Sequence, residues 1–466
     1  MHYKVNIVGG GLAGSEAALR LARLGVHVSL VERRPNDKEP VHKTGLCAEL
    51  VCSNSFKGTK PTSAAGLLKQ ELAELGSDVY SVALDTKVDA GGALAVDRQA
   101  FATRVTQLLD ENPFVTRVHA DVARVMPDGS LLASDGNCIE GLSDAVILAT
   151  GPLTSESLSH WLENMTASGS LAFFDAAAPI VMADSINTDI VFKQDRYDQT
   201  GQGAYLNAPF TRDEYERFIR ELLNARKVIA RDFETSDLFQ ACQPVEEVAR
   251  TGTDALRFGA MKPVGLIDPR TGKRPWAVLQ LRAEDRWASS YNLVGCQTNL
   301  TFGEQERVFR LVPGLEQAQF ARFGVMHRNT FLDAPRAMDA TQRLVTTQTM
   351  DAPIYLAGQL TGTEGYTEAI RSGLNCALSV AAYLFDVPAC IPPVETAYGS
   401  LLSYATDSQT VDYQPKHVNF GDFPPLDPPV RKRDARYAAY AQRATLALEQ
   451  HRCQLEERGL LGREGA

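Results

Sequence analysis

The chain has 466 residues, 44% of them hydrophobic, enough to bury a substantial core and long enough for two or three domains. Its net charge of -10 argues against indiscriminate binding of nucleic acid over the whole surface, because a polyanion is drawn to Lys and Arg. No run approaches the roughly 18 consecutive apolar residues of a membrane span, and Met1 leads into a strand-like KVNIVGG rather than a signal-peptide layout, so a cytoplasmic protein without a membrane partner is expected. The eight cysteines show neither zinc spacing nor disulfide density, which predicts reduced thiols and no metal.

In chain order, a strand is predicted over 4–8, a helix over 14–24 and a strand over 27–32, the opening of a βαβ unit. The intervening turn is Gly9, Gly10, Gly11, Leu12, Ala13, Gly14. Gly9, Gly11 and Gly14 supply GxGxxG: the first for the tight turn, the second for approach of backbone to a pyrophosphate, the third for close helix packing. Glu32 ends the second strand eighteen residues after Gly14, where a carboxylate can accept hydrogen bonds from ribose hydroxyls. A dinucleotide is therefore expected, and FAD is the one favoured. A second apolar strand, AVILAT, runs into Gly151 and Pro152. A third, IYLAGQLTG, brings Gly358, Gln359 and Gly362 to Glu364, Gly365 and Tyr366, followed by a helical run over 367–384. Its turn is expected to offer backbone N–H groups to the cofactor.

Nucleotide-binding pieces at both ends of the chain predict an α/β protein: a Rossmann-like FAD-binding domain interrupted by an inserted α+β domain. The boundaries expected are 1–178 and 335–430 for the FAD domain, 179–334 for the inserted substrate domain, and 431–466 for a basic C-terminal helix. Strands over 276–281 and 291–295 and a helix over 213–226 are predicted in the insertion. Between Arg250 and Arg282 seven basic residues face two acidic ones. Arg257, Lys262, Arg270, Lys273 and Arg274 are candidates for the phosphates of a nucleic acid, against a solvated face or, for Arg257, pairing with Asp254 or Asp268.

Cys52, in Glu49-Leu50-Val51-Cys52-Ser53-Asn54-Ser55, and Cys242, in Gln240-Ala241-Cys242-Gln243-Pro244, sit in polar settings that suit either a nucleophile or a structural thiol. Cys47, Cys138, Cys296, Cys376, Cys390 and Cys453 read as packing. Tyr366 suits stacking on a planar ligand ring, or plain packing.

The motifs VNIVGGGLAGSEAALRLARLGVHVSLVERRP, AELVCSNSFKG, AGGALAVDR, LRFGAMKPVGLIDPRTGKRP, YNLVGCQTNLTFGEQERVFRLVPGLE, FGVMHRNTF and LAGQLTGTEGYTEA follow in order. Together they closely resemble the folate- and FAD-dependent tRNA uracil-5-methyltransferases, the TrmFO family, over nearly the whole chain. The resemblance implies methylation of uridine 54 in the T loop of tRNA, with 5,10-methylenetetrahydrofolate as carbon donor, FAD as cofactor and NADPH or NADH as reductant. It also implies catalytic roles for Cys52 and Cys242. His327 and Arg328, in the VMHRN segment, are expected to line the substrate mouth. Around Cys242 this chain reads QACQPVE where the family pattern is EGCMPIE. The same chemistry on a ribosomal RNA uridine, or a noncatalytic flavin-dependent RNA-binding role, are the alternatives. Oligomeric state is not encoded legibly.

Overall fold

A computed structural model of the chain describes residues 2–35, 42–166, 170–196, 203–229 and 243–462. Its first sheet is parallel and five-stranded, in the order Ile354–Leu356, Ala145–Leu148, Lys4–Val8, His27–Glu32, Val115–His119. The register sets Ile7 beside both Leu30 and Ile147, and Ile147 beside Tyr355. These strands are short and largely apolar because both faces are covered, as crossover helices require of a parallel sheet, except that the edge strand Val115–His119 (VTRVH) is only partly buried. On one face Val5, Ile7, Leu30 and Ile147 pack with Ala17 and Leu21 of the helix Leu12–Arg23 and with Leu374, Ala377 and Ala381 of the helix Tyr366–Leu384. On the other, Val8, Val31, Val146, Leu148 and Leu356 pack with Leu158, Leu162, Tyr398 and Leu401.

The first helix begins at Leu12, two residues before the predicted start, with extended Gly11 as its N-cap. Gly14 then lies against the turn, where a Cβ would stand 1.9 Å from the Gly9 carbonyl oxygen. Gly373 makes the same approach from the long helix: a Cβ there would stand 2.1 Å from the Ala13 carbonyl oxygen. These two glycines let the two helices and the turn touch through backbone.

The first helix also carries a buried carboxyl. Glu16 is fully buried and accepts from the Ser77 hydroxyl at 2.8 Å and the Val79 N–H at 2.9 Å. Burial, helped by the charge of Asp78, pushes Glu16 up to about 7 from an ordinary 4.5. Between those values the folded chain holds a proton that the unfolded chain has released. This contribution to stability is complete below the unfolded value, falls as pH rises toward 7, and levels off above it. Denaturant melts at pH 4.5 to 7.5 should show that loss, and Glu16→Gln should flatten it; parallel curves for both proteins would contradict the assignment.

The second sheet is antiparallel and six-stranded: Phe192–Lys193, Leu206–Phe210, Ala277–Ala283, Ser290–Leu293, Ile180–Met182, Phe320–Arg322. The helix Arg212–Leu223 buries Tyr215, Phe218, Ile219 and Leu222 against it. A capping box starts that helix: the Glu214 N–H donates to the Thr211 hydroxyl, and Glu214 accepts from the Thr211 N–H at 2.8 Å. Two further strands, Ser170–Ala176 and Met326–Leu332, pair antiparallel as the chain leaves and re-enters the first sheet. The last helix, Arg433–Glu457, packs on the helix Ala64–Glu74 and buries Tyr440, Ala444, Leu448, His451 and Leu455. Among the described residues no helix is long and apolar enough to cross a membrane, and no cluster of His, Cys, Asp and Glu could hold a metal ion.

Candidate active site

At the carboxyl ends of the parallel strands, where open α/β sheets bind ligands, lies a cleft of about 330 Å³. Gly9, Gly11, Leu12, Ala13, Glu32, Gly151, Gly358, Gln359 and Tyr366 line it, and Cys52 lines it with them. Gly9 has φ +106°, and a Cβ there would meet the Ala149 carbonyl oxygen at 2.4 Å. Gly11 and Gly151 are different: nothing lies within 4 Å of where their Cβ atoms would stand, so bare backbone faces open space. Such backbone at a helix N-terminus, whose first N–H groups have no partner within the helix, fits a pyrophosphate.

Gly10, Gly14 and Gly362 take other roles. The Gly10 N–H donates to Glu32 Oε2 at 2.7 Å, and Gly14 packs as described. Gly362 is a correction to the expected amide donor. Its N–H is committed to the Gln359 carbonyl at 3.0 Å, and at φ +71° it backs onto the Tyr413 ring. The Gly358 N–H is likewise held, by the Ser372 hydroxyl at 2.9 Å, so Gly358 shapes the cleft without offering it that donor.

Glu32 reaches the cleft already engaged. Its Oε1 accepts from the Arg34 N–H at 3.1 Å and from Arg34 Nε at 2.9 Å. Burial alone would raise its pKa, but the bonds and charge of Arg34, with the Gly10 N–H, outweigh it and hold the carboxyl at about 2. Arg34 also faces Glu49 Oε2 at 3.5 Å. A fixed carboxylate beside the turn suits a ribose hydroxyl donor. Nearby His42, pushed down to about 4 by burial and then by Arg34, stays neutral at pH 7.

Cys52 sits on a loop held from three sides. The Tyr366 hydroxyl accepts from the N–H groups of Cys52 at 3.0 Å and Ser53 at 3.1 Å, and donates to the Ser53 carbonyl at 2.9 Å. Burial pushes this phenol up, so it keeps the proton that the last bond needs. Arg98 donates to the carbonyls of Leu50 at 2.7 Å and Cys52 at 3.3 Å while pairing with Glu284, the residue after the strand Ala277–Ala283. Asn54 donates to the Ala283 carbonyl at 2.9 Å and accepts from Arg282 Nε at 2.7 Å. The Cys52 thiol approaches the Ala176 carbonyl at 3.7 Å. Tyr366→Phe leaves two N–H groups without their acceptor and should cost about 1–3 kcal/mol of stability, read as a lower denaturant midpoint, with carbon transfer reduced as the loop loosens. Unchanged midpoint and activity would remove the loop-holding role.

The cleft also presents Lys57, whose Nζ lies 3.3 Å from Glu368 Oε1, a fully buried carboxylate kept ionised against burial by that cation. Arg34, Arg98, Lys57 and Asn54 were not singled out from sequence. The doublet after Glu32, Arg33-Arg34, and the Asp97-Arg98 that closes the AGGALAVDR motif were the available signals.

The expected RNA contacts separate. Lys262, Lys273 and Arg274 are exposed. Arg270 is tied to Asp268 at 2.8 Å. Arg257 lies 3.8 Å over the Trp276 ring and donates to the Trp276 carbonyl at 3.1 Å, rather than pairing with Asp254 or Asp268. None of these five lines the cleft. The side chains of His327 and Arg328 and the whole of Cys242 lie outside the described residues. Cys47, Cys296, Cys376 and Cys390 are buried; Cys138 and Cys453 are exposed, which corrects the packing expected of them.

A parallel sheet, a glycine turn feeding a helix N-terminus, a carboxylate at the second strand end and a returning glycine-rich turn define an FAD-binding flavoprotein of the Rossmann type. The family described as glucose inhibited division protein A matches residues 4–387. The chain is 48% identical over 443 residues to the methylenetetrahydrofolate–tRNA-(uracil-5-)-methyltransferase TrmFO of Thermosynechococcus vestitus, covering 94% of this chain and 92% of that one. It is 46% identical to the TrmFO of Desulfitobacterium hafniense, covering 96% and 98%. The chain belongs to the TrmFO family. Among solved structures, Aquifex aeolicus GidA superposes with a TM-score of 0.70 at 15% identity, over 99% of this chain and 78% of that one, which shows a shared fold.

Proposed function

We propose that this protein methylates carbon-5 of uridine 54 in the T loop of tRNA in the cytoplasm, with 5,10-methylenetetrahydrofolate as carbon donor and NADPH or NADH as reductant. The observation that carries the reading is a cleft in which the FAD-type glycine turn and the Cys52 loop of a TrmFO-family chain meet. FAD bound there and reduced by NADPH or NADH would supply the electrons that turn the transferred carbon into a methyl group. Residues 1–178 and 335–430 hold that cofactor, and 179–334 grip the RNA.

Carbon-5 of uracil is a weak nucleophile, and a thiolate added at carbon-6 converts the ring to an enolate that attacks through carbon-5. Cys242 is the thiol assigned to that addition. Cys52 lines the cleft and serves proton transfer, protection of the reacting carbon, or as the alternative nucleophile. The target base is stacked in a folded loop and must be extruded to reach the cleft. Exposed Lys262, Lys273 and Arg274 offer charge to phosphates during that step.

The test supplies FAD-loaded protein with NADPH and carbon-labelled methylenetetrahydrofolate, and either unmodified tRNA or unmodified ribosomal RNA. Label in 5-methyluridine at tRNA position 54 is expected. Label in ribosomal RNA alone would transfer the chemistry to that substrate, and label in neither would leave an RNA-binding flavoprotein.

A further inference from the structure

The antiparallel sheet turns back at Asp285–Ser289, between the strands Ala277–Ala283 and Ser290–Leu293. This turn is tightly fixed. Asp285 Oδ1 accepts from the Trp287 N–H at 2.8 Å and the Ser289 N–H at 3.2 Å, its other oxygen accepts from the Ser289 hydroxyl, and the Glu284 N–H closes onto the Ser290 carbonyl at 3.0 Å. At its tip Trp287 is 77% exposed, and the exposed Arg286 guanidinium lies 4.8 Å from the indole centroid.

Ordering a turn this firmly in order to hold an indole in water gives nothing to the core. A lone exposed apolar side chain is ordinary on a protein surface; here the indole stands on a fixed turn with a guanidinium against it, and that combination is what suits a contact. An indole with an arginine over it offers a flat π face and a positive charge together, the pairing that stacks on an unpaired nucleobase and meets its phosphate. The position fits as well. The stem of the turn is fastened to the Cys52 loop through the Arg98–Glu284 ion pair and the bonds of Asn54 to Ala283 and Arg282, so the tip keeps a fixed place relative to Cys52.

We propose that the Arg286–Trp287 turn is a nucleobase-stacking contact for the RNA loop that presents the target uridine. The inference rests on the RNA-methylating reading and adds a contact outside the basic stretch. Stacking of one base on one aromatic ring supports an effect of about tenfold in affinity.

The experiment uses the full-length FAD-loaded protein with an unmodified tRNA transcript and, separately, its T-arm hairpin. Trp287→Ala is expected to weaken binding of both RNAs and raise KM for tRNA about tenfold, with kcat, RNA-independent NADPH oxidation and melting temperature little changed. Trp287→Phe should recover most of the affinity but lose the RNA-induced quenching of tryptophan fluorescence, leaving only Trp161 and Trp276 to report. Arg286→Gln should lower the salt dependence of binding by about one phosphate contact. Unchanged affinity of Trp287→Ala for both RNAs would overturn the proposal. So would a smaller sedimenting mass for Trp287→Ala, which would assign the tip to contact between copies of the chain. A native protein that transfers no carbon to tRNA counts instead against the methylation reading, and the hairpin affinities still decide the role of the turn.

Discussion

Cys52→Ala is expected to lower carbon transfer into tRNA by about 10²–10⁴-fold, the range for removing one proton-transfer group, while the protein still binds FAD. The thiol is half-buried, and its loop is held through backbone groups by Tyr366 and Arg98, so truncation at Cβ leaves the loop in place. The glycine turn and Glu32 are untouched. Cys47→Ala provides the contrast. That thiol is fully buried beside Gly10, burial pushes its pKa up, and its backbone N–H donates to the Thr106 hydroxyl at 2.9 Å. Its replacement should reduce stability and spare chemistry. Equal transfer by native protein and Cys52→Ala, with flavin spectra matched, would remove Cys52 from the reaction.

Gly373→Ala should have the largest effect on cofactor retention outside the glycine turn. A methyl group 2.1 Å from the Ala13 carbonyl oxygen must drive the long helix away from the first helix. Overpacking of this kind costs about 1–3 kcal/mol. The displacement falls on Ala13, a cleft residue in the first helical turn, so FAD should be lost more readily than the fold. Flavin absorbance after dialysis and the denaturant midpoint read the two effects separately. Gly11→Ala should do the reverse, since its Cβ meets nothing within 4 Å: stability kept, cofactor obstructed. Full flavin content in Gly373→Ala would show that the helices yield without disturbing the turn.

The sequence made the nucleotide unit legible because its information is local. Strands at 4–8 and 27–32 appear at the predicted limits, and the first helix starts at Leu12 because Gly11, in extended conformation, can cap it. The surroundings of Cys52 were not legible, because Arg98 meets Glu284 and Asn54 meets Ala283 across 186 and 229 residues. Glu32 was visible as a carboxylate at a strand end, but not its engagement by Arg34. Charge counting along 250–282 found cations without showing which were occupied: Arg270 by Asp268, Arg257 by the face of Trp276. Gly362 was misread because a glycine-rich turn does not reveal where its amides point. The exposed tip at Trp287 fell just past the stretch selected by charge.

The order of strands in the parallel sheet has a consequence for how the protein is made. Ala145–Leu148 lies between Lys4–Val8 and Ile354–Leu356, yet its two neighbours are separated by most of the chain. A nascent chain emerging from the ribosome can assemble the glycine turn early but lacks the last strand and the helix carrying Tyr366 and Gly373 until the insertion has been synthesised. Until then the apolar flank of Ala145–Leu148 is bare, a hazard for aggregation typical of parallel pairing between distant segments. Cofactor capture therefore follows synthesis of Ile354–Leu356, and flavin cannot shield the bare strand flank before the chain is nearly complete.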